Sequence, residues 1–263
     1  MDLELKNRRI LVVGGSYGIG LATAQLAAQD GAQIAVVSRS AENLAKAAAS
    51  ITTDADSAPL QLVCDVTHDG AGEVLARAIA KHWSCLDVVV CAVGGSVRSA
   101  FADLSDEDWL KNYQFNVLST VRTIRALVPL LRKGDRPSIV ILGAAASKMP
   151  YAHQIMSNVH KAGLLALNKT LALELADDGI RVNLIAPGRT LTSLWLTRAD
   201  KMAAEQNRSR QDILAEFALE IPMGRFGTAE EIARNVLWIA SPCASYVTGQ
   251  ALNVDGGIAR GLL

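Results

Sequence analysis

The chain carries no excess of charge of either sign. Its 26 lysines and arginines balance 26 aspartates and glutamates over 263 residues, so the formal net charge is zero. A chain whose main partner is a nucleic acid needs a basic surface, so no nucleic-acid partner is expected. Long apolar runs are also missing. No stretch approaches the ~20 residues that cross a bilayer, and the opening segment MDLELKNRRILVV mixes charges where a secretory leader needs an apolar centre. The expectations are no membrane association and a cytoplasmic location. Cysteine is scarce, at Cys64, Cys85, Cys91 and Cys243. None forms a C-x-x-C pair, and three lie in or beside apolar runs, which predicts free thiols rather than a disulfide or a metal site. No repeat, linker or low-complexity tract divides the chain, and half of it is apolar, enough for one large domain.

What is present is alternation. Apolar, β-branched runs at 10–13, 34–38, 60–64, 87–91, 138–142, 180–185 and 251–254 read as strands covered on both faces. Amphipathic stretches at 18–30, 41–51, 69–83, 105–132, 154–177 and 229–240 lie between them. Ser105-x-x-Asp108 and Thr228-x-x-Glu231 mark two helix starts as capping boxes. Such alternation implies right-handed crossovers. The predicted architecture is therefore a single doubly wound α/β domain over 1–263, with a seven-stranded parallel sheet and helices on both faces. The charged stretch 188–227 interrupts the pattern, as an excursion that shapes a site or forms a lid would.

The first strand runs into Gly14-Gly15-Ser16-Tyr17-Gly18-Ile19-Gly20 and then a helix. Glycines there let the backbone approach a pyrophosphate, and the helix start supplies free N–H donors. The second strand ends in Ser38-Arg39. A carboxylate at that place would accept from a ribose 2′-hydroxyl, whereas an arginine accommodates a 2′-phosphate, so NADP(H) is favoured over NAD(H). The third strand ends in Cys64-Asp65-Val66, which puts a carboxylate at the sheet edge where ligands bind.

These residues resemble the short-chain dehydrogenase/reductase family over almost the whole chain, and a Rossmann-type fold follows from the resemblance. Gly14, Gly18 and Gly20, with Ser16 and Ile19 in the same turn, are similar to its cofactor glycines, and Val13 stands where a threonine is usual. Asp65, followed by Val66, resembles its adenine-binding aspartate, and Asn116 the helix asparagine of its catalytic tetrad. Pro187, Gly188 and Thr192 resemble the segment around the nicotinamide, and 222–257 resembles the C-terminal signature. The resemblance implies a small-molecule substrate. It also implies a homotetramer, or a hetero-oligomer with an active paralogue, built on the helices 105–132 and 154–177 and on the last helix and strand.

Three departures stand out. Cys91-Ala92-Val93-Gly94 replaces the family's Asn-Asn-Ala-Gly, keeping only Gly94. Lys161 resembles the family lysine that holds the nicotinamide ribose. Counted from it, the catalytic tyrosine position is Ser157 and the catalytic serine position is Ala144. A phenol near pH 10 can be tuned towards neutrality by an adjacent cation, but an aliphatic hydroxyl cannot replace it as a proton donor. His153 and Tyr151, just ahead of the lysine helix, are candidate neighbours of the reacting centre, and histidine has the right pKa range. His160 points about a third of a turn away from Lys161 and carries less weight. Trp195, Leu196 and Met202 suggest an apolar substrate pocket.

The expected catalytic set is thus Lys161, Asn116, Ser157 and His153. The expected cofactor set is Gly14, Ser16, Gly18, Ile19, Gly20, Arg39, Asp65, Val66, Gly94, Lys161, Pro187, Gly188 and Thr192. The expected activity is an atypical NADP-dependent hydride transfer to or from a carbonyl, alcohol or imine. The alternatives are a catalytically silent cofactor-binding subunit or sensor, and a non-redox lyase or cyclase on the same scaffold.

Overall fold

Alternating side chains decide how the central strands are covered. The computed structural model describes residues 2–51 and 58–261. Strands Arg9–Val13 (β1), Gln33–Ser38 (β2), Leu60–Val63 (β3), Val88–Cys91 (β4), Ser138–Leu142 (β5), Arg181–Pro187 (β6) and Ala251–Val254 (β7) form one sheet in the order β3-β2-β1-β4-β5-β6-β7. Every pairing is parallel. Successive residues face opposite sides of a strand. Leu11, Val13, Val89, Cys91, Ile139 and Ile141 accordingly join one buried cluster, and Ile10, Val12, Val88, Val90 and Val140 the other.

The helices are Gly18–Gln29 (α1), Ala41–Ser50 (α2), Ala71–Ala80 (α3), Asp106–Tyr113 (α4), Ser119–Leu131 (α5), Ile155–Glu174 (α6), Ser193–Gln206 (α7), Arg210–Leu219 (α8) and Ala229–Ala240 (α9). α3, α5 and α6 bring Leu75, Ile79, Leu127, Leu131 and Leu164 to the first face. α1 and α9 bring Ala24, Ala27, Ala28, Val236 and Leu237 to the second. Both predicted capping boxes form, with Ser105 and Thr228 accepting from the Asp108 and Glu231 N–H groups.

Three details depart from the sequence-based expectation. The helix expected over 105–132 is divided by a wider, π-type turn at Gln114–Leu118. β3 lies at the sheet edge and is covered on one face only: Leu60 and Leu62 are half-buried, while Gln61 and Val63 are exposed. The excursion at 188–227 is largely helical. α7 and α8 pack on each other through Ala199, Ala203, Ile213 and Phe217, with Trp195 and Met202 against them. Among the described residues the four cysteines are free. Burial pushes the Cys91 thiol up to about 12, which makes it inert. No described helix is long and apolar enough to cross a membrane.

α3 and α5 meet at Gly72. A Cβ there would stand 2.4 Å from the Arg122 carbonyl oxygen and 3.0 Å from Ala126 Cβ, so the helices touch because the side chain is absent. Gly72→Ala should therefore destabilise the protein by about 1–3 kcal/mol, as overpacking does, despite alanine's better helix propensity. Urea unfolding measures this, and a stabilised variant would contradict the packing described.

Candidate active site

β1 lies between β2 and β4, and the chain winds away from it in opposite directions on the two sides. In open parallel sheets this reversal opens a crevice at the carboxyl ends of the strands. Here its walls come from three strand ends and one turn. Gly14 and Gly18 take left-handed backbone conformations, at φ 86° and 57°. Gly20, in the first turn of α1, is the tightest point, where a Cβ would fall 2.2 Å from the Gly14 carbonyl oxygen. α1 has no side-chain cap and no acidic residue in its first turn, so its N–H donors and dipole are left for a ligand.

Ser16, Arg39, Asp65 and Val66 line this first half of the crevice together with Phe115. Ser16 Oγ and Ser38 Oγ stand 3.0 Å apart. Arg39 is exposed at the rim and makes no ion pair among the described residues. Burial pushes the Asp65 carboxyl up. Hydrogen bonds from Thr67 N (3.0 Å) and Oγ1 (2.7 Å), with the His68 and Arg39 charges, more than offset that, so the carboxyl lies below its usual range.

The second half lies beyond Gly94, which lines both halves with Ala92 and Val93. Lys161 Nζ and Asn116 Oδ1 would stand 2.6 and 2.9 Å from a Cβ on Gly94, so only glycine fits between strand and helix there. Lys161 is 5% exposed and donates to the Leu142 carbonyl oxygen at 3.3 Å. Burial lowers its pKa to about 8. Ser157, one turn earlier on α6, is also buried and lines the cleft with Lys161, Ala144, Ile19, Pro187, Gly188 and Thr192. Thr192 immediately precedes α7, and its methyl lies 3.5 Å from where a Cβ on Gly18 would stand, so the start of the excursion touches the glycine turn. Gly188 carries no Cβ because Asp255 Cα would be 2.6 Å away. Ser147, the serine nearest Ala144, is turned into its own loop and accepts from the Ala144 N–H at 3.3 Å.

Asn116 sits in the π-type turn, fully buried. Its Oδ1 accepts from Gly95 N at 3.0 Å, and its Nδ2 donates to Asn112 Oδ1 at 3.0 Å. Asn112 Oδ1 lies 2.8 Å from His160 Nδ1. An amide oxygen only accepts, so His160 carries its proton on Nδ1. Burial and then the Lys161 charge lower the His160 pKa, and the ring stays neutral against Trp109 and Tyr113. His160 carries little weight in the sequence, yet it anchors the asparagine pair. Asn112 is not among the expected site residues, although its i,i+4 spacing to Asn116 is a usable signal.

His153 lies elsewhere. It is exposed, at φ 61°, and its carbonyl accepts from Ser99 N at 3.0 Å. Ser96, Tyr151 and Gln154 line the outer cleft, with Ser96 Oγ donating to Gln154 Oε1 at 2.8 Å. Trp195 lines the cleft, as expected for an apolar pocket, and Met202 lines an adjoining cavity.

The sheet order and its crevice define a doubly wound domain of the Rossmann type. More particularly, the chain belongs to the short-chain dehydrogenase/reductase family of oxidoreductases. A family model described as enoyl-(acyl carrier protein) reductase matches residues 13–259. The 3-oxoacyl-(acyl-carrier-protein) reductase FabG of Chlamydia pneumoniae is 31% identical over 258 residues, covering 98% of this chain and 99% of that protein. The solved L-sorbose reductase of Gluconobacter frateurii, complexed with NADPH and L-sorbose, superposes with a TM-score of 0.95 at 30% identity and full coverage of both chains. A short-chain oxidoreductase of Pseudomonas aeruginosa, described as containing an atypical catalytic center, superposes at 0.89 with 31% identity, over 97% of this chain and 98% of that one.

The buried ammonium has a measurable consequence. The unfolded chain keeps the Lys161 proton up to about 10.5, while the folded one releases it near 8. Between those values the unfolded state binds more protons, so stability rises with pH across that window. The gain is up to about 3 kcal/mol. Lys161→Met should remove this rise and make the unliganded protein about 1–3 kcal/mol more stable at pH 7. Urea unfolding of both proteins at pH 7 and pH 10 tests it; parallel pH profiles would refute it.

Proposed function

We propose that the chain is an atypical NADP-dependent oxidoreductase. It moves a hydride between a nicotinamide and a carbonyl, alcohol or imine group of a small molecule. One observation carries this reading: a single crevice runs from the glycine turn, Arg39 and Asp65 to Lys161, with Gly94 lining both halves. The residues present fit a dinucleotide: the turn folds tightly because Gly20 has no Cβ to press on the Gly14 carbonyl, the start of α1 is left uncapped, and Gly94 lines both halves of the crevice. Gly14, Ser16, Gly18, Ile19 and Gly20 then cradle the pyrophosphate, Asp65 and Val66 the adenine, and Pro187, Gly188 and Thr192 the nicotinamide side.

Arg39 supports NADP(H) over NAD(H), since it is exposed at the rim, makes no ion pair among the described residues and can pair with a 2′-phosphate. The NADPH-complexed sorbose reductase agrees with this preference. When bound, the cofactor supplies or accepts the hydride. Lys161 holds the ribose and presents positive charge where an oxyanion develops, and Asn116 keeps Gly94–Gly95 in place beside it.

Ala144 and Ser157 stand where the family's serine and tyrosine would act. A positioned acid is worth about 10²–10⁴ in rate and an oxyanion donor about 10²–10³. Those losses are not additive, and orientation alone supplies roughly 7–11 kcal/mol. Turnover of a reactive acceptor therefore survives, with the proton coming from water or substrate. The exposed position of His153 gives no support to its role as a substitute donor. The same two positions favour a second reading, a catalytically silent cofactor-binding subunit. Exposed Leu110 on α4, and Val159 and Leu173 on α6, support assembly as a homotetramer through these helices.

Arg39→Ala should weaken NADP(H) by about tenfold or more and leave NAD(H) unchanged, as read by calorimetry. Lys161→Ala should lower NADP(H) affinity and NADPH oxidation with a panel of ketones, imines and quinones. Ser157→Ala should change turnover by less than about tenfold. If no panel member is turned over while NADP(H) binds, the silent-subunit reading stands instead.

A further inference from the structure

The outer cleft is electrically unbalanced. Beyond Ala144 and Ser157 it widens into a cavity of about 780 Å³ beneath α7 and α8. Among the described residues, four cations line this cavity, Arg98, Arg189, Arg198 and Lys201, against two carboxylates, Glu205 and Glu220. Both carboxylates are engaged: Arg189 pairs with Glu220, and Lys201 Nζ lies 3.7 Å from Glu205. Arg98 and Arg198 are left without an ion pair or a side-chain hydrogen bond among the described residues.

Arg198 is not a solvated surface arginine. It is half-buried, and its guanidinium carbon lies 5.0 Å from the Trp195 ring centroid. Trp195 in turn is packed edge-on to Phe217 and Phe226, at 5.2 and 5.0 Å, so the stacked face is fixed. Burial, then the charges of Arg98 and Arg189, lower the Arg198 pKa, the signature of cations crowded in a partly desolvated place. A stacked guanidinium whose N–H donors are unspent is preorganised for a planar or tetrahedral oxyanion. Arg98 and Arg198 also line the part of the outer cleft that reaches Ala144 and Ser157, so an anion held there belongs to a molecule reaching the reacting end.

We propose that the substrate is an anion, a carbonyl or alcohol compound carrying a carboxylate or phosphate group, which Arg98 and Arg198 bind at the outer end of the cleft. This rests on the oxidoreductase reading for the identity of the reacting group, but not for the anion site itself. Three features define the class: one negative group at the arginine pair, an apolar stretch against Trp195 and Leu194, and a polar reacting group near Ser157 and Lys161. Neutral sugars and simple ketones satisfy only part of it.

The test uses the whole protein saturated with NADP(H) and three probes of similar size: benzoate, phenyl phosphate and benzyl alcohol. Calorimetry should show at least one anion binding about tenfold or more tightly than the alcohol, with added salt weakening it. Comparing benzoate with phenyl phosphate assigns the carboxylate or phosphate source. Arg98→Gln, at an exposed position that folding tolerates, and Arg198→Gln should each reduce the preference, and the double variant should abolish it while NADP(H) still binds. Arg198→Lys should restore only part, because lysine lacks the planar fork. Equal binding of the alcohol, no saturable anion binding up to ~10 mM, or an unchanged preference in the double variant would overturn the proposal. Anion binding without any turnover would leave it standing and sink the oxidoreductase reading; turnover confined to neutral ketones, indifferent to both arginines, would do the reverse.

Discussion

Everything in this cleft depends on how closely two strand ends approach one another. At the switch point β1 leaves the sheet through Gly14 and β4 leaves it through Ala92. A Cβ on Gly14 would stand 3.0 Å from both the carbonyl carbon and the oxygen of Ala92. Gly20 then folds back on the Gly14 carbonyl, and Gly94 continues from Ala92 to meet Lys161. Three glycines thus gather around two adjoining strand ends, and each lacks a Cβ that would press on its neighbour: Gly14 on Ala92, Gly20 on the Gly14 carbonyl and Gly94 on Lys161. The sheet supplies the direction of the crevice, and these close approaches hold its walls together.

On this frame sits a charge the protein is poorly built to hide. Among the described residues, Lys161 has one backbone acceptor, at 3.3 Å, and no carboxylate partner. Desolvation is accordingly uncompensated, which is the usual condition of a group kept for chemistry rather than for stability. The neighbouring polar groups are treated differently. His160, Asn112, Asn116 and Gly95 form one line joined by three hydrogen bonds of 2.8–3.0 Å. The rigid line and the strained cation occupy the same few ångströms, so the line holds geometry while the cation remains available.

The strands and the glycine turn were legible because their signals are local. β-branched runs bounded by polar residues gave all seven strands, and the capping boxes at Ser105 and Thr228 were visible as spacings. The chain from 105 to 132 misled because its apolar repeat continues across Gln114–Leu118, and nothing in residue type announces a single wider turn. His160 is inconspicuous in the sequence because its partner, Asn112, lies on another helix. Arg98 and Arg198 are inconspicuous for the same reason: a loop and a helix a hundred residues apart supply them, and only the cavity makes them a pair. Sequence proximity to Ser157 favours His153, but His153 itself takes a left-handed backbone conformation and is exposed.

The wider turn at 114–118 bears on how this segment tolerates changes in length. An α-helix advances about 100° per residue, so one surplus residue rotates everything downstream relative to everything upstream. Asn112, before the turn, faces His160, whereas Ile124, Leu127 and Leu131, after it, face the sheet. Removing a single residue from this turn would restore regular helix and leave composition almost untouched. It would also force a choice between the apolar stripe and the asparagine line, since both could no longer face inward. Surface loops elsewhere in the chain accept insertions at little thermodynamic penalty; here the count of residues is itself the structural information, and a deletion would be more damaging than most substitutions at the same positions.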